Sequence, residues 1–182
     1  MPRRLTIDTG KGTIGTMYYY CTTGGGLVLY YEIYDTEIGK ILIAGDGESI
    51  TNLCVEGSLN LPGAKRGETA LLGQAAGALR AYLAGEKDAF AGLPLNPQGT
   101  PFQKQVWQAL LEIPYGQTIS YMQLARKINN PKAVRAVGAA NGKNPIFVII
   151  PCHRVIGADG KLTGFAYGLE LKRRLLDLEA GV

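Results

Sequence analysis

Near its C-terminal end the chain carries Pro151-Cys152-His153-Arg154-Val155, the stretch whose side chains could do chemistry. Cysteine reacts as the thiolate, and an adjacent imidazole is one way to draw off the thiol proton near neutral pH. Successive strand side chains point to opposite faces, so Cys152 and His153 share a proton directly only if the chain turns there, and otherwise through water. A third group should orient the imidazole, and Glu179, near the end of the last helix, is a candidate partner. An inert buried thiol beside a surface histidine fits the same two residues equally well. His153 is the single histidine of 182 residues, which excludes zinc chemistry built on several imidazoles; no metal site and no cofactor is expected. Cys21 and Cys54 have no close cysteine neighbour, so a disulfide scaffold is not expected and a reducing compartment is. Neither is assigned chemistry, and Cys54 reads as core.

The elements that must position these groups are legible in outline. Ile146 to Ile150 is a near-continuous apolar run and reads as a buried strand delivering Cys152 at its end. Upstream, Val28–Tyr34, Ile41–Ala44 and Ile50–Val55 are strand-like runs separated by turns, a β-meander. Glu68–Ala84 has leucines and alanines at helical spacing, with Gly85 as a stop. Phe90–Gln98, with Pro94 and Pro97, reads as an extended linker. Thr100 can cap, and Pro101 open, a helix running to about Ile113 with Phe102, Val106, Leu110 and Ile113 on one face. A helix over Ser120–Ile128, a turn at Asn129-Asn130-Pro131 and a second helix from Lys132 to about Ala140 form a helix-turn-helix. The second helix has very small side chains, and Arg135 is the long one projecting from its middle.

Charge divides along the same line. Residues 1–100 sum to −2 and residues 101–182 to +6, which suits a polyanion surface on the second half and also suits an ordinary solvated one. No apolar run approaches the ~20 residues needed to span a bilayer, and the first residues have no secretory pattern. A cytoplasmic protein without membrane contact is expected.

Asn144-Pro145, the apolar run and Pro151-Cys152-His153-Arg154-Val155 together resemble the active-site signature of the O6-alkylguanine-DNA alkyltransferases, or methylated-DNA–protein-cysteine methyltransferases. Thr100-Pro101-Phe102-Gln103-x2-Val106-Trp107, Ile113-Pro114-Tyr115-Gly116-x-Thr118-Ile119-Ser120-Tyr121, Ala133-x-Arg135-Ala136-Val137-Gly138 and Lys172-Arg173-x-Leu175-Leu176-x-Leu178-Glu179 are similar to that family in the same order. The resemblance is strong over residues 82–182 and extends weakly to Tyr34-Asp35-Thr36-x-Ile38-Gly39. It implies an α+β fold: a small N-terminal antiparallel-sheet, ribonuclease-H-like domain (1–92, with 1–26 a poorly ordered extension) and a mostly helical C-terminal domain (93–182) with the helix-turn-helix.

The implied activity is DNA repair by direct reversal. A monomer docks in the minor groove of double-stranded DNA, flips out an O6-alkylguanine (or O4-methylthymine) and takes its alkyl group irreversibly onto Cys152, once. By resemblance, His153 acts through water and is oriented by Glu179, Tyr121 aids flipping and donates toward guanine N3, and Asn144 is a hinge. Arg135 fills the vacated gap on a helix whose Ala136 and Gly138 lie near DNA. Val155, Phe165, Ala166, Tyr167 and Lys172 belong to the substrate pocket, with backbone of Cys152, Val155 and Ala166 at the base edge. Phe165 stands where tyrosine is usual and Tyr167 where glycine is common; a ring at 167 is expected to narrow the mouth and to favour methyl over benzyl lesions. A non-enzymatic lesion binder of the alkyltransferase-like type is the alternative, disfavoured because those proteins replace the acceptor cysteine. A transcription regulator would not need the Cys-His pair, and a Cys-His hydrolase would need turnover and an oxyanion hole.

Overall fold

The computed structural model describes residues 28–182; Cys21 and the extension over 1–26 lie outside them. The meander forms as β1 (Tyr30–Thr36), β2 (Gly39–Gly45) and β3 (Ile50–Val55), paired antiparallel in the order β3-β2-β1. A two-residue strand, β4 (Lys65–Arg66), adds to β1 in parallel, a pairing too short to leave a periodic signal in the sequence. Helix α1 (Ala70–Leu83) is capped by the Thr69 hydroxyl, which accepts from Leu72 N–H at 3.3 Å. It buries Leu72, Ala75, Ala76, Leu79, Tyr82 and Leu83, a 3–4 spacing that makes one face of a helix.

The 90–98 stretch is held against the sheet by backbone bonds. Leu93 is buried, and Ile50 is bridged by backbone bonds from its N–H to Pro94 O (2.8 Å) and from Asn96 N–H to its carbonyl (2.9 Å). Helix α2 (Pro101–Leu111) then opens with the expected cap, reinforced by a reciprocal box in which the Gln103 side chain accepts from Thr100 N–H. Trp107 ties α2 to the helix-turn-helix by donating Nε1–H to Ala140 O at 2.9 Å.

The helix-turn-helix consists of α3 (Tyr121–Lys127), capped by Ser120 and Gln123, and α4 (Val134–Gly142), entered through a 3₁₀ turn at Pro131–Ala133. Asn129 takes a left-handed conformation (φ 56°) in the turn, which asparagine tolerates better than most residues. Just before α3, β5 (Ile119–Ser120) pairs in parallel with β6 (Val155–Ile156), so the strand after Cys152 is tied to the start of the helix-turn-helix. Helix α5 (Leu169–Ala180) closes the chain with Gly181 left-handed at its end.

One expectation fails. Residues 146–150 are fully packed but do not form a strand: Val148 has φ 71°, and Ile150 N–H turns back to Ile146 O at 2.9 Å. The segment instead leans on β3, with Leu53 N–H donating to Pro145 O (2.9 Å) and Phe147 N–H to Leu53 O (3.0 Å). An apolar run reports burial, and burial here is met by a turn wedged between the two halves. One core cluster therefore runs from Ile41 and Leu53 through Phe147 and Trp107 to Leu175.

Candidate active site

The turn at 146–150 hands the chain to a 3₁₀ turn over Cys152–Arg154. The chain thus turns at the point where adjacent Cys and His needed it to. Asn144 fixes the approach: its Nδ2 donates to Ile150 O at 2.7 Å and its Oδ1 accepts from Ile146 N–H at 3.0 Å, stapling both ends of the turn. Asn141, at the end of α4, donates Nδ2–H to Cys152 O at 3.3 Å, linking the helix-turn-helix to the nucleophile's backbone.

Cys152 and His153 are both buried. Burial pushes the Cys152 thiol up to about 11, against the opposing pull of the Asn144 side chain and the Lys172 charge. The resting sulfur is therefore a thiol, and its proton must leave as it reacts. Burial also holds His153 below the usual imidazole range, outweighing the neighbouring Glu179 carboxylate. The His153 Nε2 lies 2.8 Å from Glu179 Oε1, which as a carboxylate oxygen can only accept. That fixes the proton on Nε2 and leaves Nδ1 as a bare acceptor, and Nδ1 has no partner among the described residues.

Glu179 is held on every side. Oε1 also accepts from Tyr82 Oη–H at 2.6 Å and Arg154 Nη2 at 2.9 Å, and Oε2 accepts from Gly116 N–H at 3.0 Å and Arg154 Nε at 2.9 Å. Burial would push its carboxyl up, but the hydrogen bonds from His153, Arg154 and Tyr82 hold it well below the usual carboxylate range. Arg154 reaches on to Ile113 O at 2.6 Å and lies over the Tyr115 ring. Gly116 is left-handed (φ 74°), and a Cβ there would stand 3.1 Å from Glu179 O.

A second buried cation shapes the opposite wall. Lys172 is fully buried and donates from Nζ to Val155 O (2.6 Å) and Thr163 O (2.9 Å). It holds the 157–168 loop against β6 and faces the rings of Tyr121 and Phe165 at about 6 Å. Val155 is buried, and its carbonyl is already engaged by this ammonium. Tyr121, first residue of α3, donates its hydroxyl to Thr163 O at 3.1 Å, and its ring lies over Gly138 of α4. Ala166 is exposed on the loop and Phe165 half-buried. Tyr167 packs on Phe147 at 4.5 Å, edge-on to Phe165 at 5.8 Å, and reaches the cluster of Leu42, Ala44 and Cys54 under the sheet. Fully packed partners on that side draw the ring inward. Arg135 and Ala136 are exposed on α4, and Arg135 makes no ion pair with a described residue.

Cys152, His153, Glu179 and Asn144 thus come together in one buried cluster, with Tyr121, Val155, Phe165 and Lys172 around its loop side. Arg135, Ala136 and Gly138 lie on α4. Tyr82, Asn141 and the bonding of Arg154 were missed by the sequence reading. Tyr82 sits 71 residues from His153 and 97 from Glu179, and its only signal was a place on the buried face of α1.

Comparison with known proteins gives two matching family models. One, described as 6-O-methylguanine DNA methyltransferase, ribonuclease-like domain, matches residues 29–97; the other, 6-O-methylguanine DNA methyltransferase, DNA binding domain, matches residues 101–181. Methylated-DNA–protein-cysteine methyltransferases of Haemophilus influenzae and Methanosarcina acetivorans are 50% and 49% identical over 154 residues, covering 83% of this chain and 86% and 98% of theirs. A crystal structure of Mycobacterium tuberculosis OGT in complex with DNA superposes with TM-score 0.79 at 46% identity, covering 84% of this chain and 93% of that one.

Proposed function

Since the chain belongs to the methylated-DNA–protein-cysteine methyltransferase family, we propose that it repairs alkylated DNA with Cys152 as the acceptor and the groups around it in the following roles. The observation that carries the assignment is a buried thiol beside an imidazole whose Nδ1 is bare and whose Nε2–H is pinned to an ionised Glu179.

The lesion atom is out of reach inside a duplex, so the nucleotide leaves the stack at a cost of a few kcal/mol. Arg135, exposed on a helix face of small residues, fills the gap, and Ala136 and Gly138 let α4 lie close in the minor groove. Tyr121 releases the Thr163 carbonyl and donates toward guanine N3. Asn144 acts as the hinge between the helix-turn-helix and the Cys152 turn. Val155, Phe165, Ala166 and Tyr167 surround the base, with Lys172 holding their loop. Cys152 Sγ then attacks the alkyl carbon: the S–C bond forms, the C–O6 bond breaks, the thiol proton passes through water to His153 Nδ1, and guanine leaves neutral after taking a proton from Tyr121. The protein keeps a thioether, which no group in the cluster is placed to hydrolyse, so each molecule acts once.

The two family models meet between residues 97 and 101, which supports a division near 92–93 into a sheet domain and an acceptor domain. Among the described residues no helix is long and apolar enough to cross a membrane; the proposal is of a monomer working on DNA in the cytoplasm. Intact mass after incubation with O6-methylguanine duplex tests the assignment. One methyl adds about 14 Da to the wild type and nothing to Cys152→Ala; a methylated C152A, or an unmodified wild type, overturns it.

A further inference from the structure

The imidazole–carboxylate pair behind Cys152 has a third member that comes from the other half of the chain. Tyr82 lies on α1, in the stretch matched by the ribonuclease-like domain model, and is buried to 1% exposure. Its ring is clamped between Phe90 (centroids 5.2 Å) and Tyr115 (6.0 Å, edge-on), so the hydroxyl has one direction in which to point. It donates to Glu179 Oε1 at 2.6 Å, the same oxygen that accepts from His153 Nε2–H, and its own oxygen stands 3.4 Å from that nitrogen. The three atoms form a closed triangle.

We infer that Tyr82 is a positioning residue of the transfer reaction: by sharing Glu179 Oε1 with His153 it weakens the carboxylate's hold on the imidazole and keeps Nδ1 unprotonated and ready to accept the Cys152 proton. The inference rests on His153 being the base for Cys152. Two donors on one oxygen compete, and hydrogen bonds to an ionised acceptor are the strong ones. The 2.6 Å bond from Tyr82 has the length of a charge-assisted O–H to O⁻ bond, whereas the 3.4 Å approach of its oxygen to Nε2 is near the limit of any bond. Donation to the carboxylate therefore outweighs acceptance from the imidazole. Without the phenol, Glu179 would pull harder on Nε2–H and raise the basicity of the ring, leaving more of it protonated before the thiol proton arrives. The other groups facing the pair, Arg154 and, farther off, Lys172, are cations that act in the same sense as the phenol, lowering the imidazole's affinity for a proton. In this way the sheet domain reaches into the chemistry of the acceptor domain.

The single histidine makes the test direct, because its ring N–H resonance in the full-length ¹⁵N-histidine-labelled chain has one assignment. In Tyr82→Phe at neutral pH the Nε2 proton moves downfield by about several tenths of a ppm as its bond to Glu179 tightens, and the acid limb of the single-turnover rate moves to higher pH by about half a unit. Replacement of Tyr82 by 3-fluorotyrosine, which keeps the ring and strengthens the donor, moves the proton upfield and also decides the matter if the phenylalanine variant does not fold. A resonance that stays put or moves in the opposite directions overturns the role, even if the rate falls, since lost packing alone would not shift it. The resonance is read without DNA, so failure of methyl transfer to Cys152 in the mass experiment is a separate outcome.

Discussion

Replacing Glu179 with glutamine changes one oxygen to NH₂ and removes one charge, and the surroundings make the cost calculable. The carboxylate accepts from Tyr82, His153, Arg154 and Gly116, with its side chain 1% exposed. Whichever way the amide is turned, its NH₂ meets donors: Tyr82, His153 and Arg154 at Oε1, or Gly116 N–H and Arg154 at Oε2. The guanidinium of Arg154 also loses its counter-ion, with its side chain only 11% exposed. Breaking one side of a buried ion pair costs about 3–5 kcal/mol. At about 2–4 °C per kcal/mol for a chain of this size, the melting temperature drops by about 6–20 °C. The transfer rate falls too, by about 100-fold or more, because the amide no longer pins the Nε2–H tautomer. The pH dependence supplies the sign. The hydrogen bonds on Glu179 depress its folded pKa below the ordinary carboxylate range, so its contribution is fully present above the unfolded value and is lost as pH falls through the folded one. The stability gap between wild type and E179Q is therefore constant from neutrality to about pH 5 and narrows in acid. Urea denaturation at a series of pH values measures it. A gap under about 1 kcal/mol at neutral pH, or one that widens in acid, refutes the reasoning.

Other outcomes follow from the same geometry. Gly116→Ala should destabilise by more than about 1 kcal/mol, since alanine is strained at φ 74° and its Cβ crowds Glu179 O at 3.1 Å; an unchanged melting temperature would refute it. Arg135→Ala should slow methyl transfer from duplex DNA by about 10-fold or more while leaving the slow reaction with free O6-methylguanine base intact, because only the duplex has a gap to fill; equal losses on both substrates count against a flipping role. Without DNA, alkylation of Cys152 by iodoacetamide should keep rising through pH 9 towards the raised value of about 11, read by mass against C152A; a plateau by pH 8 would mean that the thiol is not held protonated. Single-turnover rates should favour methyl over benzyl guanine, with equal rates removing any steric limit from the packed Phe165 and Tyr167 rings.

Contiguous signals were the legible ones. The Thr100 cap, the meander and the helix-turn-helix all depend on residues within a few positions of one another, and all formed close to where the pattern put them. The partnership of His153 with Glu179 rested on the family resemblance, because 26 residues separate them and local spacing offers no link. Tyr82 was invisible for the same reason on a larger scale: a tyrosine on an apolar helix face gives no hint of what its hydroxyl meets. The run at 146–150 misled in the other direction. Its residues are as apolar as a central strand's, yet Val148 adopts a conformation that β-branched residues rarely take, and only the packing of Leu53 and Phe147 across the halves explains it. The parallel β5–β6 pair spans two residues on each side, too few for any alternation to appear.

The seam between the two halves carries a thermodynamic consequence. Leu53 exchanges backbone bonds with Pro145 and Phe147, Ile50 does so with Pro94 and Asn96, and a single cluster of apolar side chains crosses the division. Parting the halves would strip those backbone bonds and expose Leu53 and Phe147, so each half stabilises the other across the seam. A cut near residue 92 would leave each domain with an apolar edge open to water where its neighbour had covered it.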